Sequence, residues 1–469
     1  MSVGIMPREW AHAIVTPVFK SGAAFATENY RPISLTSVAC KLMERIIVAQ
    51  MLVYLRRHGV INRQQHGFLA GRSTTTNLLT TLNDWTLALN NRMDVDVAYI
   101  DFSKAFDTVS HNKLMTKLAA CGIKGELLKW IRSFLSDRTQ QTRIGCTLSA
   151  IARLTSGVVQ GSVLGPLLFV LYINDICDIF GDDCCVCQIY ADDVKLYTTL
   201  NVSDADCSIL QHKLDNVFSW AQTWQMTISY KKCDTMFIHS GRKDHNDSSK
   251  PAFTIGGNTV PTTNCVRDLG VLIDNNLNFH EHITKIVSQA FVRANLIHKC
   301  FLSKDTCTLT RAFSTYVRPL LEYASVSWSP HYISDIKLLE SVQRKFTKRL
   351  PGYSSLRYQD RLRQLNIESL ELRRLRTDLL YTYKILFGLV DVNASDFFTL
   401  TSNDHNTRGH AYKLATHCSR LDIRKFYFCE RVIKPWNSLQ AALEHFFSFK
   451  DFKRFLYKTD LTKFLTTYQ

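Results

Sequence analysis

No apolar run of the roughly 18 residues needed to cross a bilayer occurs in this chain, so a transmembrane helix is not expected. Its first residues, MSVGIMPREWAHAIVTPVFK, lack both the charged-then-apolar order and the small-residue cleavage site of a signal peptide. An intracellular protein, nuclear or cytoplasmic and not membrane-bound, is the expectation. Paired CxxC spacings are missing too, although there are 14 cysteines. Apart from Cys184, Cys185 and Cys187 they are scattered, and in a reducing compartment they read as small buried hydrophobes. A zinc site built from His410, His417, Cys418 and Cys429 matches no finger spacing, which argues against it. Internal repeats and low-complexity tracts are also absent, excluding solenoids and disordered tails. What is present is a long chain with a basic surplus. Its 469 residues exceed one compact core, and 46% hydrophobic with 21% charged residues describes a chain that folds. Lys and Arg number 57 against 41 for Asp and Glu, and a net charge of +16 favours a polyanion: nucleic acid or an anionic membrane surface.

Along the chain, VDVAYIDF (95–102) reads as a strand, and 110–138 as two helices broken at Gly122 and Gly125. TQQTRIGCTLSAIARLTSG (139–157) alternates as a β-hairpin would. QGSVLGPLLFVLYINDI (160–176) opens with glycines and continues as an apolar helix, with Pro166 in the first turn, where no amide bond is lost. Strands VCQIY (186–190) and VKLYTT (194–199) flank a turn at ADD, and Ser203 with Asp206 resembles a capping box for a helix reaching Trp224. TISYKKCDTMFIHS returns to strand, and 241–250 is a polar loop. After VRDLGVLID (266–274), residues 280–390 read as helices, giving a mixed α/β body with a helical appendage.

Asp192 and Asp193 stand side by side in the apolar, aromatic run IYADDVKLY. Adjacent aspartates are common in hairpin turns, and alone they carry no chemistry. AYIDFSKAFD adds a third carboxylate, Asp101, after an apolar strand and before a helix. Two strands ending in aspartate can converge on one point. Three gathered carboxylates repel unless a cation neutralises them, and Mg²⁺ suits them: a hard ion that completes its shell with substrate phosphates. Two such ions about 4 Å apart can activate a hydroxyl and hold a leaving pyrophosphate, which is nucleotidyl transfer. Mn²⁺ can substitute for either.

YADDVKLY resembles the YxDD motif of reverse transcriptases, and YIDFSKAFDTVSH the preceding carboxylate motif of the same palm. NYRPISLTS, HGFLAGRSTTTNL, GVVQGSVLGPLLFVLYINDI, SYKKCDTM and VRDLGVLID continue the likeness in family order. With YVRPLLEYASVSWSP and RKFYFCERVIKPWNSL, the chain resembles polymerases of non-LTR (LINE-type) retrotransposons, especially the jockey and chicken-repeat-like groups.

That resemblance implies an α+β right-hand polymerase: fingers over 1–94, N-terminally incomplete, a palm with primer-grip-like strands over 95–279, a helical thumb over 280–390 and a C-terminal retrotransposon region over 391–469. It implies that Asp101, Asp192, Asp193 and the Phe102 carbonyl bind two metal ions. Phe106 is then the gate that fills the space of a ribose 2′-hydroxyl. Lys20 and Arg31 hold the incoming triphosphate, and Gln160 with Gly161 line the nucleotide pocket. Lys232 protonates the leaving pyrophosphate, with Lys231 a neighbouring candidate because ISYKKC departs from the family's usual LNPxKC. The segment 341–376, with ten basic residues against three acidic, tracks a template-primer backbone, Arg344, Lys345, Lys348 and Arg349 being its contacts. Tyr353 and Tyr358 are candidates for stacking on bases.

An RNA template, a DNA primer and dNTPs follow as partners. The family's N-terminal endonuclease and further fingers sequence are missing ahead of PREWAHAIVTPVFK, so the expectation is an N-terminally truncated polymerase core that needs a separate endonuclease for target nicking. The alternative is an impaired or domesticated nucleic-acid-binding remnant of such an element. Intact Asp101, Asp192, Asp193 and Gln160 weigh against it. A group II intron or telomerase-like polymerase would carry a maturase or telomerase RNA-binding extension, and neither is visible.

Overall fold

The computed structural model describes residues 5–181, 185–201, 208–241, 252–401 and 410–466. Cys184, the Ser203–Asp206 pair and nearly all of the polar 241–250 segment lie outside the described residues.

A hairpin of β1 (His12–Phe19) and β2 (Tyr30–Leu35) leads into α1 (Val38–Arg57) and α2 (Thr74–Asn90). Ser73 and Thr76 close a capping box at the start of α2. β3 (Met93–Ile100) is followed by α3 (His111–Ala120) and α4 (Gly125–Leu135), separated where Gly122 turns the chain at φ 83°. β4 (Thr139–Ile144) pairs in parallel with β1. The hairpin expected over 139–157 is divided: β5 (Thr147–Leu148) and β6 (Ala152–Arg153) are two-residue strands, each antiparallel to a different part of β4. With its other edge taken by β1, β4 has a single edge left, and the returning chain occupies it in two short pieces.

α5 (Gly165–Ile173) is apolar all round, as the sequence predicts, and is buried all round, apart from half-buried Pro166. The two amides just ahead of it, on Val163 and the N-cap Leu164, donate to the buried carboxylate of Glu44 from α1 at 2.6 and 2.7 Å. β7 (Cys185–Tyr190) and β8 (Asp193–Asn201) form a hairpin, followed by α6 (Ser208–Trp224), β9 (Asp234–Ile238), the two-residue strands β10 (Thr254–Ile255) and β11 (Asn258–Thr259), and the hairpin of β12 (Cys265–Asp268) and β13 (Val271–Asp274). The helical part then comprises α7 (His280–Cys300), α8 (Thr306–Tyr316), α9 (Arg318–Glu322), α10 (Ser325–Trp328), α11 (Ile333–Lys348), α12 (Tyr358–Leu365) and α13 (Leu370–Leu386).

The central sheet runs β7-β8-β3-β9, antiparallel throughout. β3 is buried along nearly its whole length, Asp94 and Asp96 included, because both faces of this sheet are covered. Val95, Val97, Tyr197 and Met236 face one core, built from α2, β12–β13 and the helices beyond residue 280. Ala98, Ile100, Val194 and Leu196 face a second, built from α1 and α3 to α6. The sheet is the wall between them.

The C-terminal stretch closes onto the first core. It carries the short helices α14 (Asp422–Lys425), α15 (Phe428–Arg431) and α16 (Ile433–Asn437) and the amphipathic α17 (Phe449–Lys458). Trp436 is fully buried, its indole N–H donating to the Tyr412 carbonyl at 2.7 Å, while Asn437 exchanges two bonds with the backbone of Leu414. Arg431 holds Asp378 of α13 bidentately at 2.9 and 3.0 Å. Tyr427 and Arg424 bond to Leu79 and Asn83 of α2. RKFYFCERVIKPWNSL is thus a staple between the sheet's cover helix and the helical appendage.

Candidate active site

The β3–β8 register pairs Ile100 with Val194. One residue further, Asp101 leaves β3 directly beside the hairpin turn that carries Asp192 and Asp193. The segment after α6 lies along the opposite edge: Ser229 N–H donates to the Asp101 carbonyl at 2.8 Å and Ser103 N–H to the Thr227 carbonyl at 2.7 Å. Those flanking bonds make the Phe102–Ile228 bridge a non-hydrogen-bonded pair, so Phe102's own C=O points away from Ile228, toward the β8 side where the aspartates lie. Its ring is buried against Trp220.

Residues 230–232 form a short 3-10 turn where strand was expected, and this turn places Lys232 Nζ 3.4 Å from Asp101 Oδ1. Lys231 makes no such contact among the described residues. The choice the sequence leaves open therefore falls, in position, on Lys232.

Electrostatics single out the turn. Burial raises the Asp192 carboxyl above its ordinary value, and Asp101 adds to the rise, while Lys232 and Arg31 oppose it. Asp193 is pushed up to about 7, first by desolvation at the pocket mouth and then by Asp192, Asp268 and Asp101. Its side chain still reaches solvent, so the rise reflects crowding by protein and like charges rather than full enclosure. As they stand, no three His, Cys, Asp or Glu side chains among the described residues converge into a coordination group. The donor set nonetheless fits a hard cation: carboxylate oxygens that repel one another until a positive charge enters, with a backbone carbonyl directed to the same side.

Beneath the turn is a cavity of about 200 Å³, lined by Tyr99, Asp101, Gln188, Asp193, Lys232 and Asp268 among others. Lys195, two residues past Asp193 on the same face of β8, bonds Asp268 of β12 at 2.6 Å, both side chains nearly inaccessible at 4% and 6%. The VRDLGVLID hairpin is thereby tied to β8. Sequence reasoning missed this pair, and also Gln65, Gly67, Arg72 and Asn77 of the HGFLAGRSTTTNL region. Arg72 binds the carbonyls of Asn62, Arg63 and Gln65 and the carboxylate of Asp391. Asn77 donates to the Ile189 carbonyl. His66, buried between these elements and close to Arg72 and Lys195, has its pKa lowered to about 3 and is neutral.

Phe106 is half-buried, stacked on Phe169 at 4.1 Å with Phe68 edge-on at 6.0 Å. Gln160 Nε2 donates to Asp107 at 2.8 Å, and its carbonyl accepts from Ser34 N–H of β2 at 2.7 Å. Gly161 follows at φ 113°, where a Cβ would stand 2.4 Å from the Ser34 carbonyl oxygen. Arg31 on β2 is exposed on the Asp192 side of the site, and its charge acts on that carboxylate. Lys20, one residue beyond β1, is exposed and makes no ion pair among the described residues.

Arg344, Lys345, Lys348 and Arg349 share one exposed face of α11 and its C-cap. Arg344 lies over the Tyr358 ring and Lys345 over Phe291, with Arg349 held by Asn295 at 2.5 Å. Tyr358 is less available than the sequence suggests: its hydroxyl is committed to the buried Glu340, and Gln343 donates to it. Tyr353 packs against the core. The zinc candidates do not assemble. His410 bonds the Trp436 carbonyl, Cys429 is buried against Asn83, His417 faces Glu430 and Cys418 is exposed.

A four-stranded antiparallel sheet that presents paired aspartates on a hairpin turn, with a third at the end of the adjoining strand and a helical appendage beyond, defines a right-hand, palm-type polymerase. Residues 18–273 match the family described as reverse transcriptase (RNA-dependent DNA polymerase), and the chain belongs to it. That family uses divalent metal ions. The RNA-directed DNA polymerase from mobile element jockey of Drosophila melanogaster is 27% identical over 364 residues, 75% of this chain and 39% of that protein. A probable RNA-directed DNA polymerase from transposon X-element of the same organism is 25% identical over 354 residues, 74% and 38% of the two chains. This chain thus spans about two fifths of the length of these relatives. Among solved structures, apo telomerase from Candida tropicalis aligns at a TM-score of 0.45 and 11% identity, over 80% of this chain and 62% of that one. No helix of the described residues is long and apolar enough to cross a membrane.

Proposed function

We propose that this chain is the RNA-directed DNA polymerase core of a non-LTR retrotransposon, adding dNTPs to a primer 3′-hydroxyl on an RNA template. The observation that carries the reading is the β3–β8 register, which delivers Asp101 to the turn holding Asp192 and Asp193. The three carboxylates with the Phe102 carbonyl would hold two Mg²⁺ ions, or Mn²⁺ in their place. Bound there, the ions supply charge stabilisation for the attacking hydroxyl and the leaving pyrophosphate.

The chain's own side chains supply the rest. Arg31 and Lys20 offset the triphosphate charge from the β1–β2 hairpin. Gly161, lacking a Cβ, keeps the backbone close to β2 and gives the nucleotide room. Phe106, braced on Phe169, presents a ring where a ribose 2′-hydroxyl would fall. Lys232, held at Asp101, is placed to give a proton to pyrophosphate. Arg344, Lys345, Lys348 and Arg349 follow the duplex backbone without reading bases. The working division is fingers 1–94, palm 95–279, thumb 280–390 and a C-terminal region 391–469.

The test is incorporation of labelled dTTP on poly(rA)/oligo(dT) with Mg²⁺, comparing the purified chain with Asp192→Asn. Synthesis by the wild type, reduced about a thousandfold or more in the variant, is the expected result. Equal rates would overturn the metal assignment. Absence of synthesis by either folded protein would favour the nucleic-acid-binding remnant.

A further inference from the structure

Tyr190 pairs with Asp193, which leaves Ala191 and Asp192 as a two-residue hairpin loop. Ala191 has φ 58°, whereas Asp192 stays outside the left-handed region. Positive φ at the first loop position alone is the signature of a type II′ turn, which hairpins normally fill with glycine because a Cβ is strained there. The residue that leads into both catalytic aspartates therefore holds a conformation it does not prefer, so something outside the hairpin must hold it.

The side chain of Gln65 meets that need. It is wholly buried, and its Oε1 accepts the Ala191 N–H at 3.0 Å and the Gly67 N–H at 2.7 Å. The segment around it runs beside β7 in parallel: Ile189 N–H donates to the Gln64 carbonyl at 3.0 Å, and His66 N–H to the Ile189 carbonyl at 2.8 Å. Gly67 is pressed against the turn so closely that a Cβ would stand 2.5 Å from Ala191 N. From behind, Arg72 grips the carbonyls of residues 62, 63 and 65. One buried amide oxygen thus joins two backbone donors that are distant in sequence, with its own chain braced against movement.

We infer that Gln65 is a positioning residue for nucleotidyl transfer: it fixes the Ala191 peptide in its left-handed conformation and thereby sets the direction of Asp192 and Asp193. Gln65 touches neither substrate nor metal ligand side chains, and it acts through the backbone. The inference rests on the polymerase reading for its kinetic consequence, but not for its structural one.

Gln65→Leu keeps the shape and removes the acceptor, and the full chain is compared with this variant in two measurements. Residue-resolved amide hydrogen exchange is expected to speed up at Ala191 and Gly67 by about tenfold or more, with Ile189 and His66 retaining their protection. Incorporation kinetics on poly(rA)/oligo(dT) are expected to show kcat reduced about tenfold to a hundredfold, with KM for dTTP and primer-template affinity within about threefold. In an Ala191→Gly background, where glycine adopts positive φ without help, Gln65→Leu should cost much less. Unchanged exchange at Ala191, unchanged kcat, or an equal loss in the Ala191→Gly background would each overturn the proposal. General acceleration of exchange across β7 and α2 would also overturn it, since that outcome marks Gln65 as a packing residue. Should the wild type fail to incorporate dTTP, the polymerase reading falls while the exchange arm still decides whether the bracket exists.

Discussion

Asp193 bears the heaviest electrostatic load of the three aspartates, and the sign of its effect on stability can be worked out. Its carboxyl is raised from the usual 3.8 to about 7 in the folded chain, so the fold prefers it protonated. Its stabilising contribution is complete below the unfolded value and is lost as pH rises through about 7. The metal-free protein should therefore melt at progressively lower temperature as pH climbs from about 4 to about 8, with a shallower decline in Asp193→Asn. Calorimetry with and without Mg²⁺ checks this, because an ion bound by the carboxylate should restore more stability at pH 8 than at pH 5. Gly161→Ala tests crowding instead of charge. Positive φ and the Ser34 carbonyl both oppose a Cβ, so a loss of about 1–3 kcal/mol in urea unfolding is expected, with a raised KM for dNTP. At this scale the sequence revealed the carboxylates, because charge in the middle of an apolar strand requires a reason. It concealed Gln65, whose partner Ala191 is 126 positions away and shares no periodicity with it.

Among elements, the tie between β8 and β12 is the strongest candidate for coupling the strand that carries Asp193 to the helical part. Lys195 and Asp268 are both buried, so removing one leaves the other charge without compensation. Lys195→Met should cost about 3–5 kcal/mol in chemical unfolding, and the double change Lys195→Met with Asp268→Leu should cost much less than the two singles added together. The face of α11 makes a different prediction. Replacing Lys345 and Lys348 by Gln should weaken primer-template binding equally across sequences and lower the salt-dependence slope by about one for each phosphate no longer neutralised, as fluorescence anisotropy titrations at several salt concentrations would show. Element types were largely legible from periodicity: β3, the β7–β8 hairpin, α5 and the helices after 280 fall where the apolar spacing puts them. Two segments were not. TISYKKC alternates like a strand, yet Lys231 and Lys232 turn in a short helix because the backbone from Thr227 to Ser229 is already bonded to residues 101–103. Over residues 139–157 the pattern suggests one hairpin and the chain forms two short pairings, because alternation reports a strand but not which neighbour it will find.

Taken whole, the molecule is organised around the two faces of one sheet, and its last residues belong to the core on one of those faces. Removing everything after residue 401 would expose the α2 and α13 surfaces that Tyr427, Phe428, Arg431 and Trp436 cover. Such a fragment is expected to lose cooperative thermal unfolding and to be cleaved early by trypsin, whereas Trp436→Ala in the full chain should cost about 3–5 kcal/mol in denaturant unfolding. The sequence announced these residues as a motif but not as a staple, since nothing in RKFYFCERVIKPWNSL points to an anchor near the other end of the chain. The hydroxyl of Tyr427 closes on the carbonyl of Leu79 across 348 positions. On a ribosome, where the N-terminal part of a chain emerges first, the strands that carry the aspartates are made long before the segment that seals the sheet behind them. A translation product that stops before Tyr427 and Trp436 are made is therefore left with its aspartates in place and the supporting face of its sheet uncovered.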